Sequence, residues 1–168
     1  GNITSMSVLA GGQTWTETYG DDGKSRITSV TSAGATFTLD YDATDHLAAL
    51  HLPSGVVTSY DYDVRDRLAS IETRNAGNQL LMRWSYTRSG AGDILTSTDE
   101  AGRTHEYSYD PAGRLTEDVV RTSTVVLWAE GFAYDSAGNR TIRYYSPPSG
   151  ATVTDASSYD ARDRLTSA

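Results

Sequence analysis

Apolar and polar residues alternate along short stretches of this chain. Phe37, Leu39 and Tyr41 stand two residues apart, and Tyr107 and Tyr109 do the same. A period of two predicts β-strands with one face turned to a core, and no segment sustains the 3.6-residue period of a helix. Tyrosine, threonine and valine favour strands, and the fifteen glycines favour turns. The pattern therefore predicts an all-β chain.

A motif that begins with tyrosine and aspartate recurs about every 23 residues on average. The clear copies are YDATDHL (41–47), YDVRDRL (62–68), YDPAGRL (109–115), YDSAGNR (134–140) and YDARDRL (159–165). Two looser copies are YGDDGKSRI (19–27) and YTRSGAGDI (86–94). A fixed period of this kind predicts a repeat protein. We interpret residues 1–168 as a single array of about seven repeats, and the partial copy at the start indicates that it is cut from a longer repeat region.

Each copy has the residues of a β-hairpin turn. With the tyrosine counted as position 0, aspartate at +1 can accept hydrogen bonds from backbone N–H groups of the turn. Position +4 needs a left-handed residue, which glycine adopts freely and aspartate tolerates better than most residues. Gly113 and Gly138 occupy it in two copies, and Asp45, Asp66 and Asp163 in three. A type I turn followed by a left-handed residue is a common hairpin loop.

This loop predicts the pairing on both faces of each hairpin. Asp63 faces Arg67, and Tyr62 faces Leu68. In the looser copies the apolar residue comes at +8, so we expect two extra loop residues that leave it on the tyrosine face. The residues given structural roles by the motif are Tyr19, Tyr41, Asp42, Leu47, Tyr62, Asp63, Arg67, Leu68, Tyr86, Tyr109, Asp110, Gly113, Arg114, Leu115, Tyr134, Asp135, Gly138, Tyr159, Asp160, Arg164 and Leu165.

A second set of turns is predicted between the copies, at TSAGAT, LPSGVV, RNAGNQ, DEAGRT and PPSGAT. Each repeat then supplies two strands, and the chain forms an antiparallel meander of roughly fourteen to sixteen short strands. A sheet this wide twists and coils, so we expect a curved or spiralling sheet. The alternation places Trp15, Trp84 and Trp128 on the tyrosine face, where packing is their expected role.

Composition narrows the classes of function. The net charge is −8 and the basic residues are scattered, which disfavours nucleic-acid binding. Cysteine is absent, which excludes disulfides and thiolate metal sites. The sequence has no apolar run long enough for a membrane span and no signal-peptide pattern near its start. These observations favour a structural or binding segment.

The copies YDxxGRL and YDxxDRL, with GRTHEYSYD (102–110) leading into one of them, resemble the tyrosine–aspartate (YD) repeats of Rhs proteins. Similar repeats occur in the B and C components of bacterial Tc toxin complexes, in wall-associated bacterial proteins and in animal teneurins. The resemblance implies β-hairpins that spiral into a hollow shell. In Rhs and Tc proteins the shell encloses a C-terminal toxin segment, and in teneurins it belongs to an adhesion ectodomain.

We therefore expect a non-catalytic slice of a secreted or cell-surface β-shell, most simply of bacterial origin, that encapsulates a toxin. The alternative is an extracellular adhesion or carbohydrate-binding surface, in which exposed tryptophans would stack on sugars. No catalytic, cofactor or metal site is predicted, because His46, His51 and His105 lack ligand spacing. Expected partners are the rest of the array, or a second copy paired through edge strands, and an enclosed toxin polypeptide; glycans are a further candidate.

Overall fold

The computed structural model describes residues 2–167, and every regular element in that range is a β-strand. The chain divides into two compact units with the boundary between Arg83 and Trp84. No helix among the described residues has the length and apolarity needed to cross a lipid bilayer. The prediction of an all-β chain with fourteen to sixteen strands is confirmed, since the structure has sixteen.

The first unit is an antiparallel meander in which each strand pairs with the next along the chain. Its strands are β1 (Ser5–Ala10), β2 (Gln13–Asp21), β3 (Ile27–Ser32), β4 (Ala35–Tyr41), β5 (Leu47–His51), β6 (Val57–Tyr62) and β7 (Leu68–Arg74). Strand β8 (Leu80–Arg88) begins in this unit and continues past the boundary.

The second unit repeats the same arrangement. Its strands after β8 are β9 (Ile94–Asp99), β10 (Thr104–Tyr109), β11 (Leu115–Arg121), β12 (Val126–Tyr134), β13 (Arg140–Ser146), β14 (Val153–Ala156), β15 (Ser158–Tyr159) and β16 (Leu165–Ser167). Strands β8 to β14 pair in order, and β15 and β16 form a separate hairpin. All pairings are antiparallel, which short turns between consecutive strands permit.

The turns of the clear copies have the predicted register. Tyr62 pairs with Leu68, and the N–H of Asp63 donates to the carbonyl of Arg67 at 2.8 Å. Asp66 at position +4 has φ 60°, and its N–H donates to the carbonyl of Asp63 at 3.0 Å. The register shifts one pair beyond this turn, where Tyr62 pairs with Leu68 but Asp61 pairs with Ser70, so β7 carries one extra residue. The hairpin prediction is therefore confirmed at the level of backbone pairing.

The two looser copies correct the prediction of longer loops. Asp21 pairs with Ile27 and Arg88 pairs with Ile94, so both turns have the same length as the others. Tyr19 and Tyr86 therefore stand two residues before position 0, on the same strand face as the residue that occupies it. The turn is set by Asp22 and by Ser89, whose side-chain oxygens accept the turn N–H groups. The prediction was wrong because it was anchored on the aromatic residue, whereas the turn is anchored on the residue that caps it.

The opposite turns use the same geometry in several places. Asn75 and Asp99 each accept two backbone N–H groups through Oδ1, as the motif aspartates do. The turn at Ala33 and Gly34 is a two-residue loop with φ of 50° and 80°. Positive φ at both central residues matches the twist of the flanking strands.

The tyrosine face of each sheet is only half-buried, which corrects the expectation of a buried face. Among the apolar side chains of the described residues, Val120 alone is almost fully buried, at 4% exposed. Trp15 is 60% exposed, so its predicted packing role is wrong. The physical reason is that a sheet face is buried by a second layer, and within each unit the strands form only one. Side chains therefore cover one another sideways, and most residues of the first strands, β1 and β2, and of β14 and β16 are exposed.

The other face of the first unit is rich in hydroxyl groups. Thr18, Thr31 and Thr36 are consecutive register partners across β2, β3 and β4, and the hydroxyls of Thr31 and Thr36 lie 2.9 Å apart. Ser7 and Thr16 make the same contact at 2.9 Å. This polar face suits water, so the two faces of the sheet have distinct chemical character.

Candidate functional site

The aspartate at position +1 is the centre of each YD turn. In the copy at Tyr62, Asp63 Oδ1 accepts the N–H groups of Arg65 and Arg67 at 2.8 and 3.1 Å, and Oδ2 accepts Arg67 Nε at 2.8 Å. We call this arrangement the Asp clamp. It satisfies backbone donors that the turn would otherwise leave exposed, and it fixes the +5 side chain against the turn.

The Asp clamp recurs in copy after copy of the motif. Its pairs are Asp22 with Arg26, Asp42 with His46, Asp110 with Arg114, Asp135 with Asn139 and Asp160 with Arg164. Arginine, histidine and asparagine share one property here, since each carries a nitrogen that can donate to Oδ2. The variation at +5 therefore leaves the clamp intact.

Hydrogen bonds in the clamp lower the pKa of the aspartates. The side-chain bond from Arg67 is the largest cause that brings the pKa of Asp63 to about 2. Backbone and side-chain bonds from Arg26 bring the pKa of Asp22 to about 2. Around Asp42, partial burial is the largest influence and acts to raise the pKa, but bonds from His46 and Thr44 outweigh it and the pKa is about 2. At neutral pH these carboxylates stay ionised, and their oxygens accept the hydrogen bonds of the clamp. This state suits turn formation and not proton transfer.

The motif tyrosine links each copy to the one before it. Tyr62 Oη donates to the carbonyl of Leu47 at 3.0 Å, and Leu47 is position +6 of the preceding copy. The same bond joins four further tyrosines to the +6 carbonyl of the copy before them. These bonds are Tyr41 to Ile27 at 2.8 Å, Tyr109 to Ile94 at 2.9 Å, Tyr134 to Leu115 at 2.8 Å and Tyr159 to Arg140 at 3.1 Å. We call this series of bonds the tyrosine ladder.

The +5 side chain also contacts the following copy. The guanidinium carbon of Arg26 lies 4.4 Å from the ring centre of Tyr41, and that of Arg114 lies 4.7 Å from the ring centre of Tyr134. The His46 ring stacks on Tyr62 at 4.5 Å. A cation or a flat ring over the face of an aromatic ring is a favourable contact. Position +5 therefore closes its own turn and covers the next tyrosine.

Where position +4 is aspartate, its carboxylate lies next to the +5 side chain of the preceding copy. Arg26 Nη1 donates to Asp45 Oδ1 at 2.6 Å, and Asn139 Nδ2 donates to Asp163 Oδ1 at 2.9 Å. His46 Nε2 lies 3.9 Å from Asp66 Oδ1. Glycine would be the simpler choice for a left-handed position, so the carboxylate has a second purpose: it accepts a donor from the copy before it.

Arg140, which replaces leucine at +6 after Tyr134, has a structural explanation. It pairs with Tyr134, and its guanidinium carbon lies 5.8 Å from the ring centre of Phe132. The aliphatic part of arginine can cover an aromatic ring as leucine does. The pattern of residue types could not show this, because it treats arginine as polar.

One clamp was missed in the sequence because no tyrosine precedes it. Asp99, which is 6% exposed, accepts Arg103 Nε at 2.7 Å and the N–H groups of Ala101 and Arg103. The signal was present as DEAGR (99–103), which matches DPAGR (110–114) at the clamp positions. A search for the Asp–Arg spacing, without the tyrosine, would have found it.

An aromatic cluster occupies the tyrosine face of the second unit. His105 Nδ1 lies 3.0 Å from Asp118 Oδ1, and its ring centre lies 6.4, 5.8 and 5.7 Å from those of Trp84, Tyr107 and Trp128. Two of the three tryptophans thus pack as predicted. Because Asp118 and the rings surround His105, this histidine joins β8, β10 and β12 and holds the face together.

The predicted motif residues are brought together along one edge of each unit, where the YD turns succeed one another. Tyrosine, the Asp clamp and position +5 of consecutive copies touch, whereas Tyr19 and Tyr86 lie outside the turns themselves. Tyr19 Oη donates to Glu17 at 2.8 Å. The arrangement can hold successive hairpins in a fixed register, and its polar groups are used for that purpose.

Comparison with known proteins agrees with this geometry. The sequence profile described as RHS Repeat matches residues 41–79 and 88–126. Over 72 residues the chain is 36% identical to the double-stranded DNA deaminase toxin A of Burkholderia cenocepacia (strain H111). The aligned segment covers 42% of this chain and 5% of the toxin. The chain thus spans a small part of that relative.

Solved structures share the fold. The crystal structure of TcdB2-TccC3-TEV superposes on 96% of this chain and 11% of its own, with a TM-score of 0.67 at 16% identity. The Photorhabdus luminescens Tc holotoxin pore superposes on 91% of this chain and 10% of its own, with a TM-score of 0.61 at 17% identity. The matched profile, the curated relative and the shared fold agree with the clamp and ladder geometry. Residues 41–79 and 88–126 therefore match the RHS repeats, the family that the tyrosine–aspartate motif resembles.

Proposed function

We propose that this chain is a non-catalytic wall segment of a β-shell that encapsulates a C-terminal toxin polypeptide. The observation that carries the proposal is the uniform chain of contacts from hairpin to hairpin, made by the Asp clamp and the tyrosine ladder. Such contacts add copies in a fixed geometry and use their polar groups for structure. The shared fold with TcdB2-TccC3 and the similarity to a Burkholderia toxin support the same role.

The partners and the location follow from this role. The wall segment joins further hairpins of the same array, and the tyrosine face of the second unit, with its aromatic rings and carboxylates, lies toward the enclosed polypeptide. Pairing of β1 with a strand of a second copy is the alternative arrangement, because an unpaired strand edge offers free backbone groups. The assembled protein is secreted or displayed on the surface of a bacterial cell.

Limited proteolysis of a longer protein that contains this array tests encapsulation. We expect the polypeptide C-terminal to the array to resist a nonspecific protease while the wall is intact. A variant with Asp63→Asn and Asp110→Asn, which weakens two clamps, should expose that polypeptide at protease concentrations that leave the parent intact. Asp61→Asn with Glu106→Gln serves as the control, since neither residue caps a turn. Equal digestion of the C-terminal polypeptide in all three proteins would contradict encapsulation.

A second candidate function is a carbohydrate-binding surface, which the exposure of Trp15 favours. Its indole is 60% exposed on β2, beside Val8 on β1, and an exposed flat ring can stack on a sugar. Tryptophan fluorescence in the presence of bacterial and host glycans tests this function. A response that disappears in Trp15→Phe and persists in Trp128→Phe would favour glycan binding, and an unchanged spectrum would leave the wall as the sole proposal.

A further inference from the structure

An open groove of about 320 Å³ lies in the first unit, on the edge opposite the YD turns. Its walls are the consecutive turns that contain Gly55 and Asn75, and Ser59 of β6 and Arg74 of β7 line it between them. The Ser59 side chain is exposed, and that of Arg74 is 34% exposed. A hydroxyl and a guanidinium group therefore face solvent side by side.

The second unit has an equivalent groove of about 310 Å³. It is lined by Arg121, which stands 47 positions after Arg74, and by Glu106, which stands 47 positions after Ser59. The same interval separates the starts of the two segments that match the RHS profile. The two grooves are thus built alike, and a serine in one takes the place of a glutamate in the other.

Two arginines share one carboxylate beside the first groove. Glu72, the register partner of Ser59, accepts Arg74 Nε at 2.5 Å through Oε1 and Arg83 Nη2 at 2.6 Å through Oε2. The bonds from Arg74 and then Arg83 lower the pKa of Glu72, so its carboxyl is ionised at neutral pH. These three side chains carry a net charge of +1.

The charges of the second groove are balanced. Arg121 Nη1 lies 3.4 Å from Glu106 Oε1, so a carboxylate of the groove already accompanies its guanidinium. In the first groove, among the described residues that line it, Arg74 alone is charged. Its Nη1 donates to the carbonyl of Asn78 at 2.9 Å, which holds the guanidinium at the turn. The first groove therefore suits an added negative group, and the second does not.

We propose that the groove of the first unit is an oxyanion-binding site, which takes a carboxylate or phosphate group. The guanidinium of Arg74 donates to the oxyanion, since its planar set of N–H donors matches both groups, and the hydroxyl of Ser59 donates a second bond. Glu106 keeps the equivalent groove from binding, because its carboxylate repels a second negative charge. The inference is independent of the proposed wall function.

The test titrates the full chain, labelled with ¹⁵N, with sodium phosphate and separately with sodium acetate at neutral pH. Sodium chloride keeps the ionic strength constant throughout, so that general screening cannot imitate binding. We expect saturable amide shifts at residues 55–59 and 74–79 and none at residues 102–106 and 121–123. Saturation by phosphate alone assigns the site to phosphate groups, and saturation by acetate alone assigns it to carboxylates.

The two grooves supply matched variants. Ser59→Glu copies the second groove into the first and should weaken binding about fivefold or more, as for two like charges about 4 Å apart in water. Ser59→Gln adds the same bulk without the charge and should bind more tightly than Ser59→Glu. Arg74→Gln should abolish the shifts, whereas Arg121→Gln, the same change in the other groove, should leave them as they are.

A gain of binding keeps the proposal falsifiable if Arg74→Gln disturbs its turn. Glu106→Ser copies the first groove into the second and should create saturable shifts at residues 102–106 and 121–123. The proposal is overturned if the parent chain shows no saturable shift with either salt, or if Ser59→Glu binds as tightly as Ser59→Gln. A second groove that stays unresponsive in Glu106→Ser would likewise overturn the role given to this position.

Discussion

At the scale of single residues, the tyrosine hydroxyl separates a motif tyrosine from an ordinary strand tyrosine. Tyr62 and Tyr60 lie two residues apart on β6, and both rings are half-buried. Only Tyr62 donates to the backbone of the preceding copy, at 3.0 Å. Position 0 of this copy thus supplies a hydrogen-bond donor and not merely an aromatic surface, and phenylalanine could not replace that donor.

The tyrosine ladder predicts unequal effects of removing two hydroxyls from the same strand. Tyr62→Phe should lower the free energy of unfolding by about 0.5–1.5 kcal/mol, because the Leu47 carbonyl loses its donor. Tyr60→Phe should change it by less than about 0.5 kcal/mol. Urea unfolding followed by tryptophan fluorescence measures both. Equal losses would mean that ring packing, and not the ladder bond, is what position 0 supplies.

Position +4 is occupied either by glycine, which adopts the left-handed conformation freely, or by aspartate, whose carboxylate can accept a hydrogen bond from the preceding copy. Gly138 has φ 95°, and a Cβ placed there would lie 4.0 Å from Arg114 Nη1. Gly138→Ala should therefore cost about 1–2 kcal/mol through backbone strain alone. Gly138→Asp should cost less, because aspartate tolerates the left-handed conformation and its carboxylate gains Arg114.

The same pair of substitutions at Gly113 is the control. Gly113 has φ 77° and open space around its Cβ position, but the preceding copy carries Asp93 at +5. Gly113→Asp should therefore show no advantage over Gly113→Ala. Thermal unfolding of the four variants, followed by circular dichroism, gives the comparison. An equal advantage of aspartate at both positions would show that conformational preference suffices and that the upstream charge is irrelevant.

At the scale of the element, each hairpin depends on an ionised aspartate. The pKa values of Asp22, Asp42 and Asp63 are about 2 in the folded chain, below the usual value near 3.9. A carboxyl with a lowered folded pKa contributes stability that is present above its unfolded pKa and is lost as pH falls through the folded pKa. The clamps are therefore at full strength at neutral pH.

This linkage predicts a specific acid profile. The free energy of unfolding should be nearly constant from pH 7 to about pH 5 and should fall steeply between about pH 4 and pH 2, as the clamp aspartates become protonated. Urea titrations at half-unit pH intervals measure the profile. Asp63→Asn has no carboxyl to titrate at this position in the folded or the unfolded chain. The free energy of unfolding of this variant should therefore fall less steeply with pH, by the contribution of one carboxyl group. A steepest loss near pH 6 would point to histidine and contradict the clamp as the acid-sensitive element.

The elements also show how far the sequence could be read. The clear copies predicted strand, turn and register together, because backbone conformation, capping and side-chain parity all agree in them. Tyr19 and Tyr86 misled the prediction, since the turn follows the capping residue and Asp22 and Ser89 hold that place. The clamp at Asp99 was not predicted, because Asp99 caps its turn but no tyrosine precedes it.

At the scale of the whole molecule, burial was the property that residue pattern could not provide. Alternation of apolar and polar residues shows which side chains share a face, but the extent of burial depends on whether a second layer covers that face. Within each unit there is a single layer, so Trp15 is exposed although its parity is right. Contacts between copies were equally invisible, because they join residues fourteen or more positions apart, such as Tyr41 and Ile27.

A meander whose strands pair with their neighbours along the chain should respond locally to damage, because stability in repeat arrays is a sum over adjacent units. Val120, 4% exposed on β11, lies beside His105 on β10 and Trp128 on β12 in register.

Val120→Asp places an unpaired charge there, which costs several kcal/mol unless the region opens. Hydrogen exchange followed by mass spectrometry should show faster exchange in β10, β11 and β12 while the amides of β3 and β4 keep their rates. Val64→Asp, at a fully exposed turn position, should leave exchange unchanged throughout. If Val120→Asp instead accelerated every strand equally, the chain would unfold as one cooperative body, and the description of the array as locally held hairpins would have to be abandoned.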